Sequence, residues 1–99
     1  MSDDPRPLLL FFSSNRSGPA RRMESLLAHL ARKERHRLRV HQVDVDERRD
    51  LAAKLKVDSA PTIVLVKGKH VVARIVGRAS APQIAALLDQ HLDGVAAPV

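Results

Sequence analysis

The chain has no cysteine, no tryptophan and no tyrosine, and its only aromatic residues are the adjacent Phe11 and Phe12. Without cysteine there is no disulfide framework, no thiolate nucleophile and no Cys-ligated metal. With two aromatics the core must be aliphatic, and the stacking rings that single-strand readers usually add are scarce. Long apolar runs are missing too. The run from Leu8 to Phe12 falls far short of the ~18–20 residues that span a bilayer. The opening Met1-Ser2-Asp3-Asp4-Pro5 lacks the basic start of a signal peptide. These features lead to the expectation of a cytoplasmic protein that makes no use of a membrane.

What is present fits one domain of 99 residues, 44% of them hydrophobic. The formal net charge is +6, carried by 12 Arg and 5 Lys against 11 acids. Such a surplus attracts anions without naming one, and a high-GC genome, which enriches Arg and Ala together, would produce the same bias.

Periodicity gives the order of elements. Pro7 to Phe12 is a continuous apolar run, the pattern of a strand covered on both faces. Ser13 to Gly18 is turn chemistry throughout. Pro19 suits the first turn of a helix, which Ser17 or Gly18 can cap. Met23, Leu26, Leu27 and Leu30 then form one stripe at helical spacing. Leu38 to Val45 reads as a second strand. Asp46 is expected to cap a short helix that turns Leu51, Ala52 and Leu55 inward.

Thr62 to Val66 and His70 to Val76 form a hairpin around Lys67-Gly68-Lys69, with Gly68 supplying a positive φ and Gly77 ending the second arm. Ser80-Ala81-Pro82-Gln83 is a capping box, and Ile84, Leu87, Leu88 and Leu92 form the inner stripe of the last helix. Asp93-Gly94 is expected to stop that helix. The order is β-α-β-α-β-β-α. It implies a four-stranded mixed sheet with helices on both faces and a right-handed crossover between the first two strands. The ordered core is expected at about residues 7–92, with loose tails at 1–6 and 93–99.

This order, with these residues, resembles the thioredoxin family. Ser17-Gly18-Pro19-Ala20-Arg21-Arg22-Met23 is similar to that family's Cys-Gly-Pro-Cys-Arg-X-Met site. Val43-Asp44-Val45-Asp46 matches its strand end, and Ala60-Pro61-Thr62, 44 residues beyond Ser17, matches its cis-proline loop. Gly77 fits the family glycine after the hairpin. The resemblance covers about residues 7–92 and leaves out the family's additional N-terminal strand and helix.

The departures from the pattern carry as much weight. Ser17 and Ala20 occupy the two thiol positions. Thiol–disulfide exchange needs an attacking thiolate and a resolving thiol, and neither residue supplies one. Ser17 has no base placed in sequence to activate it. The family's buried acid falls at Phe11, its lysine partner at Gln42, and the tryptophan before the first cysteine at Arg16.

The resemblance also implies a groove against the cis-proline loop that grips extended chains without needing cysteine. Here it would be formed by Arg16, Ser17, Gly18, Pro19, Ala60, Pro61, Thr62, Gly77 and Arg78, rimmed by Arg21 and Arg22. A helix N-terminus beside it favours anions. The expectation is a redox-inactive module that binds a protein or an extended, acidic peptide, as monomer or weak homodimer, with no cofactor and no metal. Two alternatives stand beside it. One is a disulfide oxidoreductase relative whose cysteines were lost or engineered away; the other is a basic nucleic-acid accessory protein.

The remaining clusters read as surface. In Arg32-Lys33-Glu34-Arg35-His36-Arg37-Leu38-Arg39, five of eight residues are basic, but no aromatic or nucleic-acid motif accompanies them, and a solvated face is expected. The histidines are scattered. His29 and His36 could share a helix face, yet no H-x-x-x-H pair appears. No nucleophile elbow supports Ser-His-Asp chemistry.

Overall fold

A computed structural model describes residues 5–92. The expected loose residues 1–4 and 93–99, and the Asp93-Gly94 helix stop, lie outside the described residues. The elements are β1 (Leu8–Ser13), α1 (Gly18–Lys33), β2 (Arg39–Asp44), α2 (Arg49–Lys54), β3 (Thr62–Lys67), β4 (His70–Val76) and α3 (Ala81–His91). One sheet has the order β2-β1-β3-β4. β1 runs parallel to β2 and antiparallel to β3, and β3 is antiparallel to β4. The order and the mixed sheet are those expected from the sequence.

The continuous apolar run of β1 has a simple cause. Successive side chains point to opposite faces of a strand, and both faces here are covered. Leu9 and Phe11 join Ile63 and Leu65 of β3 in a larger core with Ala20, Met23 and Leu27 of α1 and Ile84, Leu87 and Leu88 of α3. Leu10 and Phe12 join Val64 in a smaller core on the other face, closed by Val43, Ala52 and Val57. Leu51 and Leu55 pack at its margin. On α1 the outer members of the expected stripe, Leu26 and Leu30, are half-buried. They line a groove of about 450 Å³ between α1 and α3, together with Ala81, Pro82 and Ala85.

Local chemistry sets the ends of the elements. Ser17 caps α1, its Oγ accepting from the Ala20 N–H at 3.1 Å. At α3, Ser80 N–H donates to Gln83 Oε1 at 2.8 Å and Gln83 N–H donates to Ser80 Oγ at 3.3 Å, completing the capping box. Gly68 and Gly77 have φ of 64° and 90°. An irregularity between Leu65 and Val66 shifts the β3–β4 register, so that Leu65 faces Ala73 and Val66 faces Val71.

Two expectations fail. Asp46 does not cap α2: that helix starts at Arg49, its cap residue is Arg48, and no side chain closes it. The Asp46 N–H instead donates to Asp44 Oδ1 at 2.8 Å, a local turn, and the cap position falls two residues later. His36 does not share a helix face with His29, because α1 ends at Lys33 and His36 lies in the following turn. Among the described residues no helix is long and apolar enough to cross a membrane.

Candidate functional site

β1 delivers its last residues, and the loop after it, to one end of the sheet. Phe12 pairs with Val43 and Thr62, and Ser13 pairs with Asp44. The loop Ser14 to Ser17 and the first turn of α1 therefore stand beside the loop that enters β3. The Ala60–Pro61 peptide bond is cis. Ser17 Oγ, besides capping α1, donates to the Ala60 carbonyl at a long 3.4 Å. Gly77 N–H donates to the Pro61 carbonyl at 2.9 Å, which brings the end of β4 to the same place.

Ser17, Ala60, Pro61 and Gly77 are thus joined by hydrogen bonds, with Gly18 and Pro19 in the adjoining helical turn. Arg78 follows Gly77 and is exposed, as are Arg16, Arg21 and Arg22. Thr62 is placed differently. It is 1% exposed, and its Oγ1 donates to the Ser59 carbonyl at 2.9 Å. Its side chain braces the loop from inside rather than facing solvent.

The hydroxyl of Ser17 is committed to structure. Both of its hydrogen bonds are to backbone groups, and among the described residues no histidine, lysine or carboxylate bonds to it. That arrangement holds a hydroxyl in place without activating it. Ala20, at the second thiol position, is fully buried in the larger core.

The residues around the site complete the departure from redox chemistry. Phe11 is 0% exposed and fills the core below α1. The Gln42 amide donates to Ser13 Oγ at 3.0 Å and to Glu24 Oε2 at 3.2 Å, bridging β1, β2 and α1. Neither position carries a titratable group. Among the described residues no three His, Asp or Glu side chains gather as a metal site requires.

One part of the site escaped the sequence reading. Ser14 Oγ donates to Asp46 Oδ2 at 3.0 Å, Arg16 Nη2 donates to Asp46 Oδ1 at 2.9 Å, and Arg16 N–H donates to Ser14 Oγ at 3.2 Å. Asp46 therefore ties Ser14 and Arg16 of the loop ahead of α1 together. The Ser14 hydroxyl, and then the Arg16 guanidinium, keep its carboxyl below the ordinary 3.8. These partners are separated by 30 and 32 residues, and no local pattern announces the contact.

Known proteins share this architecture. The family model described as Thioredoxin matches residues 1–90. The thioredoxin of Pseudomonas aeruginosa is 33% identical over 86 residues, covering 87% of this chain and 80% of that protein. The bifunctional thioredoxin reductase/thioredoxin of Mycobacterium leprae is 35% identical over 72 residues, covering 73% of this chain but spanning only 16% of that larger protein. Among solved structures, the germline-specific thioredoxin Deadhead of Drosophila melanogaster superposes with a TM-score of 0.82 at 30% identity, covering 89% of this chain and 83% of that one. Thioredoxin-2, a component of the malaria parasite protein secretion machinery, gives 0.84 at 27% identity, covering 91% and 87%.

Proposed function

The chain belongs to the thioredoxin family, and we propose that it serves there as a redox-inactive binding module that holds an extended peptide segment against the loop Ala60-Pro61-Thr62. Its own side chains supply no thiolate and no resolving thiol, so thiol–disulfide exchange has no carrier in this chain.

The observation that carries the proposal is the use made of Ser17. Where the family pattern has an attacking thiol, this chain has a hydroxyl bonded to the backbone of α1 on one side and of the loop before β3 on the other. The reactive position has become a brace, and what it braces is the loop. An extended chain laid along such a loop gains main-chain hydrogen bonds, while side chains at the rim select the sequence. The rim is basic, with Arg16, Arg21, Arg22 and Arg78 exposed, so acidic residues in the partner are favoured. Arg16 is already paired with Asp46 at 2.9 Å, and an acidic partner must compete for it. Among the described residues Arg78 makes no such pair, and it is the stronger anchor.

The test pairs capture with mapping. Partners are captured from native lysate at about 150 mM salt, where weak surface pairing is screened, by the native chain and by Arg16→Ala/Arg78→Ala. A captured partner is then titrated into isotope-labelled protein. The proposal requires loss of capture by the double variant and amide shifts concentrated at residues 16–20, 60–62 and 77–78. Equal capture by both proteins, or shifts elsewhere, sinks it.

A further inference from the structure

We propose that the chain pairs with a second copy of itself through the groove between α1 and α3, in a weak two-fold dimer that sets α1 of each copy over α3 of the other. Connectivity fixes the direction of both helices. α1 leaves β1 at the Ser17 end of the sheet and leads to Arg39, which pairs with Leu8 at the far end. α3 follows Val76, which pairs with Thr62 at the Ser17 end. It finishes at His91, whose carbonyl accepts from Lys67 Nζ at 2.9 Å beside the β3–β4 turn. The two helices therefore cover the same core and run the same way.

Each helix lines the groove with one row of side chains. On α1 the row is Leu26, His29, Leu30 and Lys33, at helical spacing. On α3 it is Ala81, Ala85 and Asp89, each one turn from the next. The first row is large and cationic, and the second is small and acidic. The leucines stay half-buried, while both alanines and the charged residues are exposed, so among the described residues nothing covers the groove.

The charges at its rim are open to a partner. Glu34 is taken up by Arg37, whose Nε donates to Glu34 Oε1 at 2.5 Å. Lys33 acts on Glu34, and Asp89 on Arg37, through space. Among the described residues neither Lys33 nor Asp89 forms an ion pair.

Symmetry turns the difference between the rows into a match. A two-fold axis across the groove would set α1 on α1 and α3 on α3, with like charge against like, leucine on leucine and alanine on alanine. A two-fold axis along the groove carries each helix over the other helix of the partner copy and keeps its direction and height. At about 1.5 Å per residue, Leu30 and Leu26 lie about 4.5 and 10.5 Å back from Lys33, and Ala85 and Ala81 about 6 and 12 Å back from Asp89. Lys33 placed against the partner's Asp89 thus brings each leucine within about 1.5 Å of the height of an alanine. Large against small is how facing rows interdigitate. A foreign helix would have to supply one complement or the other, whereas a second copy carries both. Two helices about 10 Å apart and about 16 Å long present roughly 20 by 16 Å, less than half of the ~800 Å² per partner in a stable complex. The dimer is accordingly weak, with a dissociation constant on the order of 100 μM.

The inference stands apart from the peptide reading, since it uses none of the residues around Ser17. It is tested on the whole 99-residue chain by sedimentation equilibrium from about 10 μM to 1 mM at about 150 mM salt. The mass should rise from one chain to two and no further. Lys33→Asp and Asp89→Lys should each weaken association at least about fivefold, because each sets like charges together twice in the dimer. The two combined should recover it to within about twofold. Lys54→Asp makes the same change of charge on α2 and should stay within about twofold. Ala85→Arg, at an exposed position, fills the space meant for the partner's Leu30 and should abolish association, with far-UV circular dichroism showing each variant folded. A single chain throughout the range overturns the proposal and leaves the groove to a different occupant. So do equal losses in Lys33→Asp and Lys54→Asp, failure of the folded double variant to recover, or a dimer that survives Ala85→Arg.

Discussion

The Ser17 hydroxyl joins the first turn of α1 to the loop ahead of β3, accepting from the Ala20 N–H at 3.1 Å and donating to the Ala60 carbonyl at 3.4 Å. The first bond is a helix cap and the second is long and weak, so the cap dominates the energetics. Ser17→Ala should therefore cost about 1 kcal/mol, a fall in Tm of roughly 4–8 °C for a domain of this size. Ser17→Asp keeps an acceptor at the cap and should stay close to the native protein. Thermal unfolding followed by far-UV circular dichroism separates the two. An equal loss in both variants would mean that the bond to Ala60, and not the cap, is what Ser17 contributes.

Restoring cysteine at positions 17 and 20 separates loss of the thiols from loss of the surrounding site. Both positions begin α1, one turn apart, and a disulfide should form in Ser17→Cys/Ala20→Cys. Turnover is another matter. Phe11 is fully buried, Gln42 is tied to Ser13 and Glu24, and neither can carry a proton to or from a thiol. Insulin reduction by the double variant should run at least about tenfold below that of a thioredoxin assayed beside it. Full activity would show that only the sulfur atoms are missing and would favour the oxidoreductase ancestry over the binding reading.

The fold was legible because its signals are local. The apolar run of β1, the Ser80–Gln83 box and the glycines after β3 and β4 each act within a few residues. The site was legible only where the family pattern reached it. Asp46 looks like a helix cap in sequence, since an acid before a helix is the usual signal; its role as the hold on Ser14 and Arg16 depends on partners 32 and 30 residues away. Thr62 looks like a groove residue because it follows Pro61, yet its side chain is buried and bonded to the Ser59 carbonyl.

The hold of Asp46 on the loop ahead of α1 makes a pH-dependent contribution of known sign. Hydrogen bonds from Ser14 and then Arg16 keep its folded-state pKa below the ordinary 3.8. A carboxyl depressed by folding stabilises the fold at pH values above its unfolded pKa and loses that contribution as pH falls through the folded value. Native protein and Asp46→Asn should therefore differ by a constant urea midpoint above about pH 5, and converge below about pH 3. The pair is exposed, so added salt should narrow the gap at neutral pH. A gap that persists at low pH would assign the effect to side-chain shape rather than charge.

Backbone conformation supplies the last test, at two positions in the left-handed region. Gly77 has φ of 90° and nothing within 4 Å of where a Cβ would stand. Any loss in Gly77→Ala is therefore conformational rather than steric crowding, and should be about 1–2 kcal/mol. Lys56, just after α2, has φ of 59° and carries a side chain. There the same strain is already present, and Lys56→Gly removes it at an entropic cost of about 0.5–1 kcal/mol in the unfolded chain. Arg74 holds the carbonyls of Leu55 and Lys56 at 2.8 and 3.2 Å, contacts the substitution leaves untouched. The balance favours the glycine by about 0.5 kcal/mol. Urea unfolding should thus move in opposite directions for the two variants, and a loss of stability in Lys56→Gly would show that Arg74 already offsets the left-handed strain.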